Sequence, residues 1–133
     1  MSKTVNESLL RSTANRLEKV DRFEKVVLFP VDYPESVIVE TDLVYYPEDV
    51  DRAFLDIRTY LNGDFHISYI EERELDRWRC RWDRHENNHN SRDHFHPPPD
   101  APTQGEDREY PDDFFDVLGI VLEYVESRLG EVW

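Results

Sequence analysis

The side chains best suited to chemistry lie between positions 78 and 99, which read WRCRWDRHENNHNSRDHFHPPP. Four of the five histidines fall within twelve residues of this stretch: His85, His89, His94 and His96. Five arginines lie in it or beside it: Arg77, Arg79, Arg81, Arg84 and Arg92. Only three acids accompany them between positions 77 and 96, whereas the whole chain carries a net charge of −14. This basic, histidine-dense stretch, the His/Arg segment (77–99), is therefore the predicted functional site.

Histidine and arginine together suit phosphate chemistry. Arginine presents a planar fork of donors that matches phosphate oxygens, and histidine exchanges protons near neutral pH. In metal-free RNA cleavage, one imidazole removes the 2′-hydroxyl proton and a second protonates the leaving 5′-oxygen, while a guanidinium stabilises charge on the phosphorus. We predict His94 and His96 as this acid and base, with His89 in reserve. The other predicted site residues are Asp83, which would orient a histidine or an arginine, and Arg79, Arg81 and Arg92, which would bind phosphate.

A divalent metal such as zinc is the alternative use of these histidines. Its candidate ligands are His85, His89, His94 and His96. The spacing matches no strong zinc motif, because the chain has one cysteine and Asn87-Asn88 disfavours the helix that would bring His85 and His89 together. Chemistry without a cofactor is therefore the first prediction, and a metal-dependent hydrolase is an alternative.

Several of these residues also have a purely structural interpretation. Arg77 and Arg79 can pair with acids on neighbouring strands. Trp78 and Trp82 alternate with charged residues, which predicts a place in the core, and His66 stands alone on its predicted strand, which favours a structural role. The remaining function class is a non-enzymatic binding module, in which the His/Arg segment docks a phosphate-bearing ligand or the acidic segment of a protein partner.

Sequence periodicity predicts the elements that position the His/Arg segment. An apolar face predicts a helix over residues 6–20, capped by Asn6. Residues from about 25 to 85 predict a β-meander, in which Asn62-Gly63 favours a two-residue hairpin turn with positive φ at both positions. Residues 86–109 are predicted to form an irregular loop. Pro111 then opens a C-terminal helix over residues 111–129, with acids at its positive end.

The predicted fold class is α+β. Over residues 77–85, the set Arg77, Arg79, Arg81, Asp83 and His85 alternates with the apolar set Trp78, Cys80 and Trp82, so one face of that strand meets a core. Helices segregated from a meander indicate an antiparallel β-sheet of about four strands, with the N-terminal and the C-terminal helix packed on it. A chain of 133 residues favours a single domain over residues 1–133.

Composition limits the setting in which the protein works. Thirty acidic residues against sixteen basic ones suit a halophilic protein, because salt screens the self-repulsion of a large net charge. The same charge argues against broad affinity for nucleic acid. A single cysteine excludes an intramolecular disulfide, and no apolar run reaches the roughly 20 residues of a membrane span. The first residues also lack the apolar centre of a signal peptide, so we expect a cytoplasmic protein that does not enter the membrane.

Part of the His/Arg segment resembles the TumE-type toxins of toxin–antitoxin pairs. The resemblance lies in Arg81-Trp82-Asp83, in His89, and in His94-Phe95-His96 before a proline-bearing loop. The order of elements from about residue 36 to 129, a β-meander followed by a C-terminal helix, is also similar. This resemblance implies a toxin that blocks growth, with RNA cleavage as the expected mechanism and RNA as its substrate. It also implies an antitoxin partner, which in such pairs is often a DNA-binding protein.

The sequence departs from the family pattern at three places. Arg84 stands where the family tends to have asparagine, and Asn88-His89 replaces a pair of histidines. Phe95 replaces a lysine between the last two histidines, so any phosphate contact of that lysine would pass to Arg92. The oligomeric state, including a homo-oligomer, stays open at the level of sequence.

Overall fold

The computed structural model describes residues 4–85 and 92–132. These residues contain two α-helices, α1 (Glu7–Leu17) and α2 (Phe114–Glu131). They also contain seven β-strands: β1 (Phe23–Phe29), β2 (Ser36–Thr41), β3 (Arg52–Thr59), β4 (Phe65–Glu72), β5 (Arg77–Arg84), β6 (Asp93–His96) and β7 (Glu106–Asp107). None of the helices in these two ranges is long and apolar enough to span a membrane.

The strands form one antiparallel sheet in sequence order, from β1 to β7. The α+β class and the two helices are confirmed, but the predicted number of about four strands is wrong. Strands β6 and β7 lie in the stretch 86–109, which the sequence predicts as irregular loop. They are four and two residues long, and Phe95 is their one apolar side chain, so neither shows a periodic apolar signal. Residues 93–96 form β6 because they pair with β5, and residues 106–107 form β7 because they pair with β6.

Alternating side chains give the sheet two different faces. On the helix face, side chains such as Ile57, Ile67 and Trp82 are almost fully buried and share one core with residues of both helices. The predicted core position of Trp82 is thereby confirmed, and Tyr124 of α2 packs edge-on against its ring. Cys80 is buried on the same face, and burial raises the pKa of its thiol to about 12. The opposite side, the open face, carries most of the charged positions of the strands.

Local details differ from prediction at the hairpin and at the helix ends. Tyr60 and Asp64 bond across a three-residue turn, in which Gly63 has a φ of +92° and Asn62 does not have positive φ. The turn is therefore not the predicted two-residue turn. Helix α1 begins at Glu7, capped by Asn6, and ends at Leu17, before the predicted end at residue 20. Helix α2 begins at Phe114 because the Asp113 carboxylate caps it, so Pro111 precedes the helix.

Candidate active site

The register of the central strands gathers the predicted site on the open face. Asp83 of β5 lies opposite His66 of β4 on one side and opposite His94 of β6 on the other. Two residues earlier, Arg81 has His96 as its β6 partner. Because directly opposed side chains in an antiparallel sheet are close neighbours, these pairings bring histidine, arginine and aspartate into contact. Four of the described site residues are therefore adjacent: Arg81, Asp83, His94 and His96.

The carboxylate of Asp83 is the centre of this group, although its side chain is only 1% exposed. His66 Nδ1 lies 2.9 Å from its Oδ1, while Arg81 Nε donates to Oδ2 at 2.8 Å. His96 Nε2 is also 2.8 Å from Oδ2. Burial raises the pKa of Asp83, but the hydrogen bond from His66 and the charge of Arg81 outweigh it and hold the pKa below its ordinary value. Asp83 is thus ionised and joins three cationic or titratable neighbours, and these four residues are called the Asp83 cluster.

His66 is the functional candidate that the sequence analysis assigned to a structural role. An ionised carboxylate only accepts hydrogen bonds, so the Nδ1 atom of His66 donates to Asp83 and Nε2 is left to accept or release a proton. The ring is 30% exposed, far more than the rings of His94 or His96. A signal for this contact existed in the sequence. A turn between residues 72 and 77 pairs Glu72 with Arg77, and that register places His66 opposite Asp83.

His96 is held at both ring nitrogens. Its Nδ1 lies 2.7 Å from the carbonyl oxygen of Pro102, and since a carbonyl only accepts, Nδ1 carries the hydrogen. Its Nε2 faces Asp83 and, at 3.3 Å, Arg81 Nη2. Gly105 packs on the same ring, because a Cβ added there would lie 3.0 Å from His96 Cε1. The loop between β6 and β7 therefore fixes the orientation of His96.

The histidines continue as a row of rings beside Asp83. His94 stacks on His85 with 5.4 Å between ring centroids and 17° between ring planes. The centroid of His85 is in turn 5.9 Å from that of His66. His94 Nδ1 also lies 3.9 Å from Asp107 Oδ1, and its side chain is 6% exposed. His94 and His96 thus form the buried part of the row, and His66 and His85 its accessible part.

An open pocket of about 440 Å³ lies over the accessible part of the row. Its lining is polar and comes from strands β3, β4 and β5 and the residues that follow them: Asp56, Arg58, Tyr60, His66, Ser68, Arg81, Asp83 and His85. Arg58 is exposed and lies opposite His66 in the register. The pocket therefore offers a ligand two imidazoles and two guanidinium groups, of which Arg58 pairs with Asp56 and Arg81 with Asp83.

The other predicted phosphate ligands lie outside this pocket. Arg79 is on the open face of β5, two residues before Arg81, and its Nε donates to the carbonyl oxygen of Asp100. Arg92 reaches the hairpin that follows β3, where its Nη2 is 3.1 Å from Asp64 Oδ1 and from the carbonyl oxygen of Asn62. The predicted reserve residue, His89, lies outside the described residues. The phosphate-binding roles of Arg79, Arg81 and Arg92 stay predictions.

The described residues contain no group of three or more His, Cys, Asp or Glu side chains that could hold a metal ion. Of the four alternative metal ligands, His85, His94 and His96 belong to the ring row, and their stacked arrangement aligns ring faces rather than nitrogen atoms. His89 again falls outside the described ranges. The zinc alternative thus needs a direct test.

A second ion pair anchors this part of the sheet to α2. Arg84 donates from Nε and Nη2 to the two oxygens of Asp93 at 2.8 and 2.9 Å, and the backbone N–H of Tyr110 donates to Asp93 at 2.7 Å. Arg84 Nη2 also donates to the Tyr110 carbonyl. Arg84 therefore ties β5 and β6 to the chain that enters α2.

Comparison with known proteins agrees with the resemblance noted in the sequence. No curated protein and no solved structure matches the chain significantly. The family model described as "Toxin TumE" matches residues 10–129, which include most of both helices, all seven strands and the His/Arg segment. This match covers most of the chain, and the chain belongs to the TumE toxin family.

Proposed function

We propose that this protein is the toxin of a toxin–antitoxin pair and acts as a metal-independent ribonuclease at the Asp83 cluster. The observation that carries the proposal is the contact between His66 Nδ1 and Asp83, which leaves His66 Nε2 as the acid–base atom of a ring that lines an open pocket. A buried carboxylate that fixes the tautomer of a partly exposed histidine is a recurrent arrangement of general-base catalysis.

In the proposed reaction, His66 Nε2 removes the proton of a ribose 2′-hydroxyl, and that oxygen attacks the adjacent phosphorus. The bond from phosphorus to the 5′-oxygen breaks, and His85 supplies the proton that the leaving oxygen takes up. Arg81 and Arg58 stabilise the charge that accumulates on the phosphoryl oxygens. The products are a 2′,3′-cyclic phosphate and a free 5′-hydroxyl.

In this scheme His94 and His96 position other residues of the site and do not contact the RNA. Both rings are nearly buried, and His96 is engaged at both nitrogens, so these two histidines support Asp83 and His85 instead of touching RNA. In the sequence-based alternative, His94 and His96 are themselves the acid and base. That alternative predicts that the double variant His94→Ala/His96→Ala loses more activity than a His66 variant does. The variant His66→Asn, which removes Nε2 of His66 but leaves His94 and His96 in place, distinguishes the two assignments of the catalytic acid and base.

Membership of a toxin family supports an antitoxin as the partner of this chain. A protein of net charge −14 fits a partner with a basic surface, such as a DNA-binding antitoxin. The non-enzymatic alternative uses the same cluster to dock a phosphate-bearing ligand, and it predicts binding without turnover.

The test compares wild type with His66→Asn, because the asparagine amide keeps a donor near the position of Nδ1 and removes Nε2. Both proteins are expressed in a host and scored for growth arrest, then purified and incubated with RNA with and without EDTA. We expect wild type alone to arrest growth and to yield cyclic phosphate ends, with equal rates in EDTA. RNA binding without cleavage would favour the binding module, and loss of activity in EDTA would favour the metal hydrolase.

A further inference from the structure

Strand β5 carries a row of arginines that leads away from the Asp83 cluster. Arg77, Arg79 and Arg81 alternate with Trp78 and Cys80, which face the helices, so the three guanidinium groups lie on the open face. Residues two apart on one strand face are separated by about 6.5–7 Å. This separation is comparable to that of successive phosphates along an extended single strand of nucleic acid.

The arginine row retains much of its charge for a ligand. Arg77 is 54% exposed, and its contact with Glu72 is long, at 3.9 Å. Arg79 is exposed and uses one Nε–H on a neutral carbonyl oxygen. Arg81 contacts Asp83 but remains 38% exposed. A protein with a large acidic excess thus presents three cations in line, and the last of them belongs to the proposed catalytic cluster.

The row is only one strand wide. On the β4 side, the partners of Arg77, Arg79 and Arg81 are Glu72, Ile70 and Ser68, and beyond Ser68 lies Asp56 of β3. On the other side, Asp100 bridges to Arg79, and Asp107 lies opposite His94. Glu72 and Asp56 thus lie on the β4 side of the row, whereas on the other side Asp100 contacts Arg79 through its backbone carbonyl. One phosphate backbone fits on the row, whereas a second strand displaced towards β4 would meet Glu72 and Asp56, whose carboxylates pair with Arg52 and Arg58 of β3.

We infer that the substrate is single-stranded RNA that lies along β5, with the reacting phosphate at Arg81 and the next two phosphates at Arg79 and Arg77. This inference rests on the proposed ribonuclease activity and adds the strandedness of the substrate and the binding register. It also assigns a substrate-binding role to Arg77. Three local phosphate contacts are consistent with an acidic protein that does not coat nucleic acid.

The test measures kcat/KM for three substrates: a dinucleotide with one phosphodiester, a single-stranded hexanucleotide, and the same hexanucleotide paired in a duplex. The variants are Arg77→Gln and Arg79→Gln. Arg11→Gln is the matched control, because Arg11 is equally exposed, carries the same charge and lies on α1 behind the sheet. Each reaction is repeated over a series of KCl concentrations.

For wild type and the hexanucleotide we expect a log–log salt slope of about −2, since each phosphate contact to a single strand contributes about −0.7. Arg77→Gln should reduce the slope by about 0.7 and lower kcat/KM roughly three- to tenfold. Arg11→Gln should match wild type on all three substrates, Arg77→Gln should lower hexanucleotide cleavage more than dinucleotide cleavage, and the duplex should be a poor substrate.

Two results would overturn the inference and leave the ribonuclease proposal standing. One is hexanucleotide cleavage by Arg77→Gln and Arg79→Gln that equals that of Arg11→Gln in rate and salt slope. The other is duplex cleavage as fast as single-strand cleavage. If the two variants lose binding of a hexaglutamate peptide but keep full RNA cleavage, the row serves an acidic protein partner instead. Failure of wild type to cleave any of the three substrates would refute the ribonuclease proposal itself.

Discussion

His66 Nδ1 and Asp83 Oδ1 lie 2.9 Å apart across strands β4 and β5, although 17 residues separate them in the chain. The contact joins a residue inside the His/Arg segment to one outside it. It fixes the tautomer of His66 and helps to keep Asp83 ionised in a buried position. The proposed chemistry depends on this pair. The buried carboxylate of Asp83 takes part only by orienting His66, the histidine that lines the pocket.

Replacement of Asp83 by asparagine should reduce kcat for RNA cleavage by about 10²–10⁴-fold. The substitution keeps the shape of the side chain but removes the charge that orients His66 and pairs with Arg81. Initial rates on a single-stranded RNA measure the effect, and circular dichroism checks the fold. Activity within twofold of wild type would show that the Asp83 cluster is not the catalytic centre.

Gly105→Ala should lower activity by displacing His96. A Cβ at residue 105 would lie 3.0 Å from Cε1 of His96 and 3.1 Å from the carbonyl oxygen of Phe95, which is closer than real Cβ contacts normally come. The matched control is Gly119→Ala in α2, where an added Cβ meets nothing within 4 Å. This control should raise the free energy of unfolding by about 0.5–1 kcal/mol and leave cleavage unchanged. Equal activity of both variants would mean that the orientation of His96 is unimportant for the reaction.

The stability of the protein should fall in acid partly through Asp93. Burial raises the pKa of this carboxyl, but the hydrogen bonds from Arg84 and from the Tyr110 N–H outweigh it, so the pKa in the folded protein lies below the ordinary value of about 3.9. The contribution of Asp93 to the free energy of unfolding is therefore fully present above that value, and it is lost as the pH falls through the pKa of the folded state. Asp93→Asn should cost about 3–5 kcal/mol of unfolding free energy at neutral pH, with a smaller difference from wild type near pH 2.

Urea unfolding between pH 7 and pH 2 measures this difference. A gap between wild type and Asp93→Asn that stays constant over the whole range would show that the ion pair with Arg84 does not contribute through its charge.

Glu71→Ala should destabilise the fold by about 3–5 kcal/mol without lowering the kcat of the folded fraction. Glu71 is fully buried on the helix face, where Arg128 of α2 donates to both of its oxygens at 2.9 Å and Tyr69 donates at 2.7 Å. Its removal takes away the acceptor that these donors share in the core and leaves the largely buried guanidinium of Arg128 with only a longer contact to Glu131. Glu126→Ala is the control, because Glu126 is 67% exposed and its pair with Arg22 should be worth less than about 1 kcal/mol. Chemical denaturation of both variants gives the comparison, and equal midpoints would refute a role for Glu71 in anchoring α2.

Local sequence patterns were sufficient for much of the scaffold. The alternation over residues 77–83 predicted both a strand and the buried side of Trp82, and an apolar stripe predicted the body of α2. The same alternation placed Arg81 and Asp83 together on the polar side, because side chains two residues apart on a strand share a face. Residues of TumE type within this stretch also led to the correct family.

Other features were decided by contacts between distant parts of the chain. Strands β6 and β7 are too short to show a period of their own, so only pairing with β5 and then β6 reveals them. The role of His66 depends on the strand that lies beside it: the residues next to it in sequence do not identify Asp83, and only the register set by the turn between residues 72 and 77 does so. The sequence by itself determined which residue types are concentrated and which faces of the strands are charged. The tertiary structure decided which of those side chains meet, because the register of an antiparallel sheet is set by turns and by the burial of its other face.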